Sequence, residues 1–393
     1  MPDLRAPRGV RYPVGLIVFC LFLCLCADRR AQRSQAIWIA CHWRWIVRAW
    51  LQAKGKAPSG SGSISQSCLS RCLATLAVGR LAELTCGLER DTFADQWKTY
   101  VAKTKANQQA RRGRLRRRIT RKTYVPAKKL MPQYALDGKA RAGCTSQLTG
   151  RTEIDVTLFC PETHQVLGHK TLSDKQGEPA AAIALLVSTI DDSLPRGVIT
   201  GDAGITCPEV ALAARAARHH YIFGIKGNAG KVFDVITGHP WAEVRRADMF
   251  FNEGHGRQEI RTIKRVAVTD FGSEEFAKYR DVAIVFQVKA DVLHVKPDFL
   301  TTETRYFIGD SGAAALTPHE AITYIRDHWR QESFHWEKDA VLKEDASRMT
   351  SSNGSRALGI LRNKVVQVGK ILCGSVTTFV DRFSANPRGA FRP

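Results

Sequence analysis

The sequence predicts an α/β fold: a mixed sheet flanked by helices, with a helical region in front and a β-rich insertion within it. Three observations predict this class. Residues 13–105 place apolar side chains at helical spacing. After Pro132, three short β-patterned runs with tight turns give way to alternating helix and strand patterns. Between residues 231 and 310 the β pattern returns, and helices resume only from Thr317.

In order along the chain, VGLIVFCLFLCLCA (14–27) and AIWIACHWRWIVRAWLQ (36–52) read as helices, GKAPSGSGS (55–63) as a loop, and SCLSRCLATLAVGRLAEL (67–84) as one further helix. Asp91 is the expected N-cap of a helix over TFADQWKTYVAK. Segment 14–27 follows Arg5, Arg8 and Arg11 and so imitates a secretory leader. It falls short of the roughly 20 apolar residues that span a bilayer, and DRRAQR follows it in place of a small-residue cleavage site. A buried core helix is therefore the expectation, with a membrane anchor as the competing reading.

The stretch 110–129, ARRGRLRRRITRKTYVPAKK, is dense in Arg and Lys and holds no acid. It reads as a basic linker over 110–130, suited to phosphate backbone or simply solvated. Strands are expected at 134–137, 153–160, 165–172, 197–202 and 221–227, and helices at 178–190 and 208–220. Further β runs lie at 259–268, 280–290 and 304–310. A helix over 317–341 opens with Thr317 and Glu320 at capping-box spacing and Pro318 in its first turn. The last helix is expected at 355–372, leaving 376–393 as a tail.

Composition narrows the partner. Lys and Arg number 59 against 37 Asp and Glu, a formal charge of +22 in 393 residues. Such an excess favours a polyanion, nucleic acid above all. The eleven Cys are scattered, without paired CxxC units or a Cys–His spacing that suits zinc. Reduced cysteines in a cytoplasmic protein fit better than a disulfide framework.

Three carboxylates stand out. Asp137 in LDGKA and Asp202 in TGDAG end predicted strands and precede small residues, which would let a backbone approach closely. Glu332 lies in RDHWRQESFHW (326–336), with His328 and Trp336 one helical turn away and Arg326 and Arg330 nearby. Three such acids can hold two divalent ions for phosphoryl transfer, and hard oxygen ligands select magnesium or manganese. The plainer alternatives are turn-forming for each Asp and an ion pair with Arg or His for Glu332.

These segments, taken together, resemble the insertion-sequence transposases of the DDE superfamily. LDGKARAG (136–143) resembles the first motif and LSDKQGEPAAAIALL (172–186) the run before a Leu-rich helix. VITGDAGITCPEVALAARAARHHYIFGIKGNAG (198–230) resembles the second motif and EGHGRQEIRTIKRVAV (253–268) a His-Gly-Arg-x-Glu-x-Arg segment. IRDHWRQESFHWEKDAVLKEDASR (325–348) resembles the third motif, and LRNKVVQVGKIL (361–372) the closing helix. Ala229, Ser333 and the run Ala203-Gly204-Ile205 depart from the family's usual residues.

The resemblance implies an RNase H-like mixed sheet flanked by helices. It implies a catalytic domain over 131–375, a β-rich insertion at about 231–310 and a helical region over 1–109. It further implies Asp137, Asp202 and Glu332 as catalytic residues and metal ligands for two Mg2+ or Mn2+ ions. Lys139, Lys226, Asn228, His255, Arg257, Arg326 and Arg330 are implied as DNA or phosphate contacts. The expected partners are double-stranded DNA, at transposon ends and target, and a second copy in a synaptic homodimer, with no membrane. The competing expectation is a catalytically decayed, transposase-derived DNA-binding protein.

Overall fold

A computed structural model of the chain describes residues 10–59, 62–114, 126–141, 152–173, 177–190, 194–254, 257–295, 298–347 and 352–390. Four helices come first: α1 (Val14–Cys26), α2 (Gln32–Gln52), α3 (Gln66–Thr75) and α4 (Val78–Arg114). The helix expected over 67–84 is thus broken at Leu76, whose backbone is extended. Asp91 caps nothing: it lies inside the 37-residue α4. That helix is held by tertiary contacts instead, with Arg90 Nη1 donating to the Leu167 carbonyl at 2.8 Å and Gln165 Nε2 donating to the Glu89 carbonyl at 2.9 Å.

The strands are β1 (Gln133–Ala140), β2 (Ile154–Cys160), β3 (Gln165–Leu172), β4 (Val198–Gly201), β5 (His220–Ile225), β6 (Asp248–Gly254), β7 (Arg257–Ala267), β8 (Val282–Val295) and β9 (Asp298–Asp310). They form one nine-stranded sheet in the order β3-β2-β1-β4-β5-β9-β8-β7-β6. The run β1, β4, β5 is parallel, and every other pairing is antiparallel. The β-rich segment therefore extends the central sheet, because β9 pairs with β5. It also holds a helix that its β pattern concealed, α7 (Lys231–Gly238).

Helices cover both faces, as a sheet with buried parallel strands requires. On one side, α5 (Glu178–Val187) packs on β2 and β3 and α6 (Pro208–Ala216) on β5, and their buried residues share one cluster with Tyr134, Leu136, Val156 and Leu158 and with Val232 and Ile236 of α7. On the other, α9 (Pro318–Asp327) packs on Val198, Ile222 and Phe286, following the short α8 (Ser311–Ala314). The stretch expected as one helix over 317–341 is divided into α9, α10 (Arg330–Trp336) and a π-helical turn, Glu337–Val341. At the break, the amides of Trp329 and Gln331 reach back three residues instead of four.

The last expected helix is not the last. After α11 (Ser352–Cys373), α12 (Val376–Ala385) buries Phe379 and Phe383. Segment 14–27 is core, as expected: Leu16, Ile17, Cys20, Leu21 and Cys24 of α1 are buried against α2, α11 and α12. No described helix is long and apolar enough to cross a membrane.

Candidate functional site

The parallel register of β1 and β4 builds the centre of the site. Pairing runs from Gln133 opposite Val198 to Leu136 opposite Gly201. The next residue on each strand is Asp137 and Asp202, so the two acids stand level on neighbouring strands. Asp137 does not end its strand, because β1 continues beside β2 to Ala140. Asp202 does leave its strand: its Oδ1 accepts the amides of Gly204 at 3.0 Å and Ile205 at 3.1 Å, an Asx turn that leads into the loop before α6. The other oxygen of Asp202 takes no part in that turn.

Glu332 comes from α10, exposed, and its charge reaches Asp137. Burial and the neighbouring Asp202 push the Asp137 carboxyl up to about 7, with smaller contributions from Glu178 and Glu332, while the Gly138 amide opposes the shift. The three sequence-predicted acids therefore share one electrostatic neighbourhood, drawn from β1, β4 and α10. A largely buried carboxyl with other carboxylates beside it suits a cation, and the donor set is oxygen-only, as magnesium or manganese prefers. Among the described residues, no three His, Cys, Asp or Glu side chains close into a ready-made metal cage.

Two residues beside this centre escaped the sequence. His335 Nδ1 lies 3.6 Å from Asp137 Oδ2, and burial together with Lys338 and Lys139 pushes its imidazole down to about 3. It is neutral at pH 7 and adds no positive charge to Asp137. Its signal was present, a histidine three residues after Glu332. Glu178, the first residue of α5, is buried on the opposite face of β1, where its carboxyl fills the space that a side chain at Gly138 would need. A side chain at 138 would have to displace that carboxyl.

His328 was expected on the face of Glu332. It is instead half-buried at the α9–α10 break, where Nδ1 meets Thr200 Oγ1 at 3.1 Å and desolvation holds its imidazole down at about 4. Trp336 shares the solvent side with Glu332 and is 63% exposed. A cleft of about 180 Å3 opens beside Asp202, lined in part by Lys226, Phe233, Tyr306, His328 and Trp329. The Trp329 ring lies under the guanidinium groups of Arg305 and Arg261, 4.5 and 5.0 Å from its centroid.

The expected phosphate contacts divide. Lys226 is exposed at the mouth of this cleft, and Asn228 beside it donates to the Ala203 carbonyl at 2.5 Å, tying the two loops together. Arg257 is exposed at the far end of β7, away from the carboxylates. Arg326 sits 3.9 Å from Glu259 and Arg330 4.0 Å from Asp327. Lys139 departs from expectation: it is buried and faces Asp339, Glu344 and Asp345, so its charge is directed inward. Lys129, counted in the basic run, is buried against Glu162 and Asp327 as well. His255 and residues 115–125 of that run lie outside the described residues.

Comparison with known proteins finds no matching family model. The chain is 27% identical over 246 residues to "Putative transposase YncI" of Escherichia coli O157:H7, which covers 60% of each chain. It thus spans about three-fifths of the length of that curated relative. Among solved structures, a cryo-EM structure of a piggyBac transposase synaptic complex with hairpin DNA aligns over 97% of this chain and 73% of that one, with a TM-score of 0.38 and 11% identity. A likeness that low carries no fold assignment.

Proposed function

We propose that this chain is a DNA transposase of the DDE type, cutting DNA strands at transposon ends and joining them to target DNA. The observation that carries this reading is the register that sets Asp137 level with Asp202, with α10, the helix of Glu332, packed against β1 through His335 beside Asp137. The sequence similarity to a relative named as a transposase and the +22 charge agree with it. The order β3-β2-β1-β4-β5, three antiparallel strands followed by two parallel ones, supports an RNase H-like core.

Asp137, Asp202 and Glu332 would hold two Mg2+ or Mn2+ ions, which supply activation of the attacking oxygen and stabilisation of the leaving one. The chain's own groups do the rest. Asp137, whose carboxyl burial and Asp202 raise to about 7, would have to be deprotonated to hold a cation. Neutral His335 fills the space beside Asp137 without a competing charge. Lys226 offers an exposed ammonium to phosphate at the edge of the cleft. No serine, tyrosine or cysteine nucleophile is needed, since water and then a DNA 3′ hydroxyl serve as attacking groups. Double-stranded DNA is the substrate, and joining two ends calls for a homodimer.

The test is nicking of a supercoiled plasmid that carries the native transposon ends, in magnesium, manganese and EDTA, with wild type, Asp202→Ala and Glu332→Ala. The expected result is metal-dependent cutting that each substitution lowers by more than about a hundredfold, beyond the loss typical of outer-sphere changes. Full cutting by Asp202→Ala would overturn the assignment. Salt-sensitive binding without cutting in any arm would instead identify a decayed DNA-binding protein.

A further inference from the structure

We propose that Lys139 is a positioning residue: its ammonium clamps the acidic segment after α10 to strand β1, and thereby sets Glu332 against Asp137. The inference rests on the transposase reading for the importance of that alignment, although the clamp itself does not.

Lys139 and Asp137 are two residues apart on one strand, so their side chains leave the same face of the sheet. From there the Lys139 ammonium, 6% exposed, reaches Asp339 Oδ1 at 3.0 Å, Glu344 Oε2 at 3.3 Å and Asp345 Oδ1 at 3.3 Å. Asp339 belongs to the π-helical turn that continues directly from α10, and the other two acids follow that turn. Glu344, 2% exposed, also meets Lys338 of the same turn at 3.2 Å and Arg362 of α11 at 3.8 Å. The far end of α10 is thus fastened to β1 and to α11 through one buried carboxylate.

The near end of α10 is fastened separately, by Gln331 Nε2 donating to Thr157 Oγ1 of β2 at 2.9 Å. Glu332 sits between these two anchors. Its place beside β1 therefore depends on both, and the far anchor is the one built on buried charge. The π turn carries an extra residue per turn, a costly local geometry that persists where tertiary contacts impose it. A phosphate contact cannot claim the same ammonium cheaply: turning Lys139 outward would take a cation from buried Glu344 and from half-buried Asp339 and Asp345.

The test compares wild type, Lys139→Met, Lys139→Arg and Asp345→Asn in three measurements: amide hydrogen exchange, plasmid nicking, and the salt dependence of DNA binding. The clamp predicts faster exchange over 330–345 in Lys139→Met, with strands β4 and β5 unchanged. It predicts a turnover loss of about a hundredfold, the scale of a misplacement near 1 Å, with DNA affinity and its salt slope unaltered. Partial rescue is expected from Lys139→Arg. A salt slope lowered by about one, with exchange unchanged, would make Lys139 a phosphate contact and overturn the clamp. Should Lys139→Met fail to fold, Asp345→Asn decides: slower turnover with faster exchange over 330–345 supports the clamp, and wild-type behaviour in both overturns it. If wild type does not cut at all, the transposase reading fails, while hydrogen exchange still settles the clamp by itself.

Discussion

At Asp137 the demands of folding and of chemistry oppose each other. Its carboxyl has an ordinary value of 3.8 and rises to about 7 through burial first and Asp202 second. An acid with a raised folded pKa binds more protons in the native state than in the unfolded one. Its penalty is absent below the unfolded value and grows as pH rises toward the folded value. Wild type should therefore lose stability between about pH 4 and pH 7 through this residue. Asp137→Asn removes the ionisation and should be more stable than wild type at pH 8, by on the order of 2 kcal/mol after discounting for partial exposure. Thermal unfolding at pH 4.5 and pH 8 checks this: the gap should open only at the higher pH. Added Mg2+ should narrow that gap by stabilising wild type alone. A gap equal at both pH values would mean that the effect is packing and not charge.

Among the elements, α9 and α10 show how local signals divide the work with tertiary ones. Thr317 and Glu320 form the expected capping box, with the Thr317 hydroxyl oxygen accepting the Glu320 amide at 3.2 Å and Glu320 Oε2 accepting the Thr317 amide at 2.9 Å. Asp91, equally cap-like in sequence, is exposed within α4. Thr317→Ala should cost about 1 kcal/mol, and Asp91→Ala should stay within about 0.5 kcal/mol, both read from urea midpoints. Equal losses would mean that α4 is not continuous through residue 91. The end of the same helical stretch was illegible for the opposite reason. The break at His328 and the π turn at Glu337 answer to Thr200, Thr157 and Lys139, all distant in sequence.

Over the whole molecule, the N-terminal helices and the C-terminal ones share one core. Leu16, Ile17 and Leu21 of α1 pack in the same cluster as Leu358, Val365 and Val366 of α11 and Phe379 and Phe383 of α12. Phe334 of α10 and Leu342 belong to it too, so the core that buries α1 also backs the helix of Glu332. Leu21→Ala should cost about 2–5 kcal/mol and lower the denaturation midpoint in one cooperative step. A separate early transition for the N-terminal region would contradict the shared core. The apolar start of the chain, which imitates a leader, is thus the interior of a helical layer.

The sequence by itself determined the α/β class, the helical start, most strands and the two Asp that the register aligns. These depend on periodicity and on residue types next to each other, which a linear chain displays directly. It also displayed Glu332, through its company of rings and cations. Only the tertiary structure decided where charge is directed. Lys139 looked like a phosphate contact and is turned inward by Asp339, Glu344 and Asp345; His335 and Glu178 were unremarked and stand beside Asp137 and Gly138. An ionic side chain takes its role from whichever opposite charges folding brings near. For these residues those partners lie on other elements, as far from Lys139 as Asp345, 206 positions along the chain.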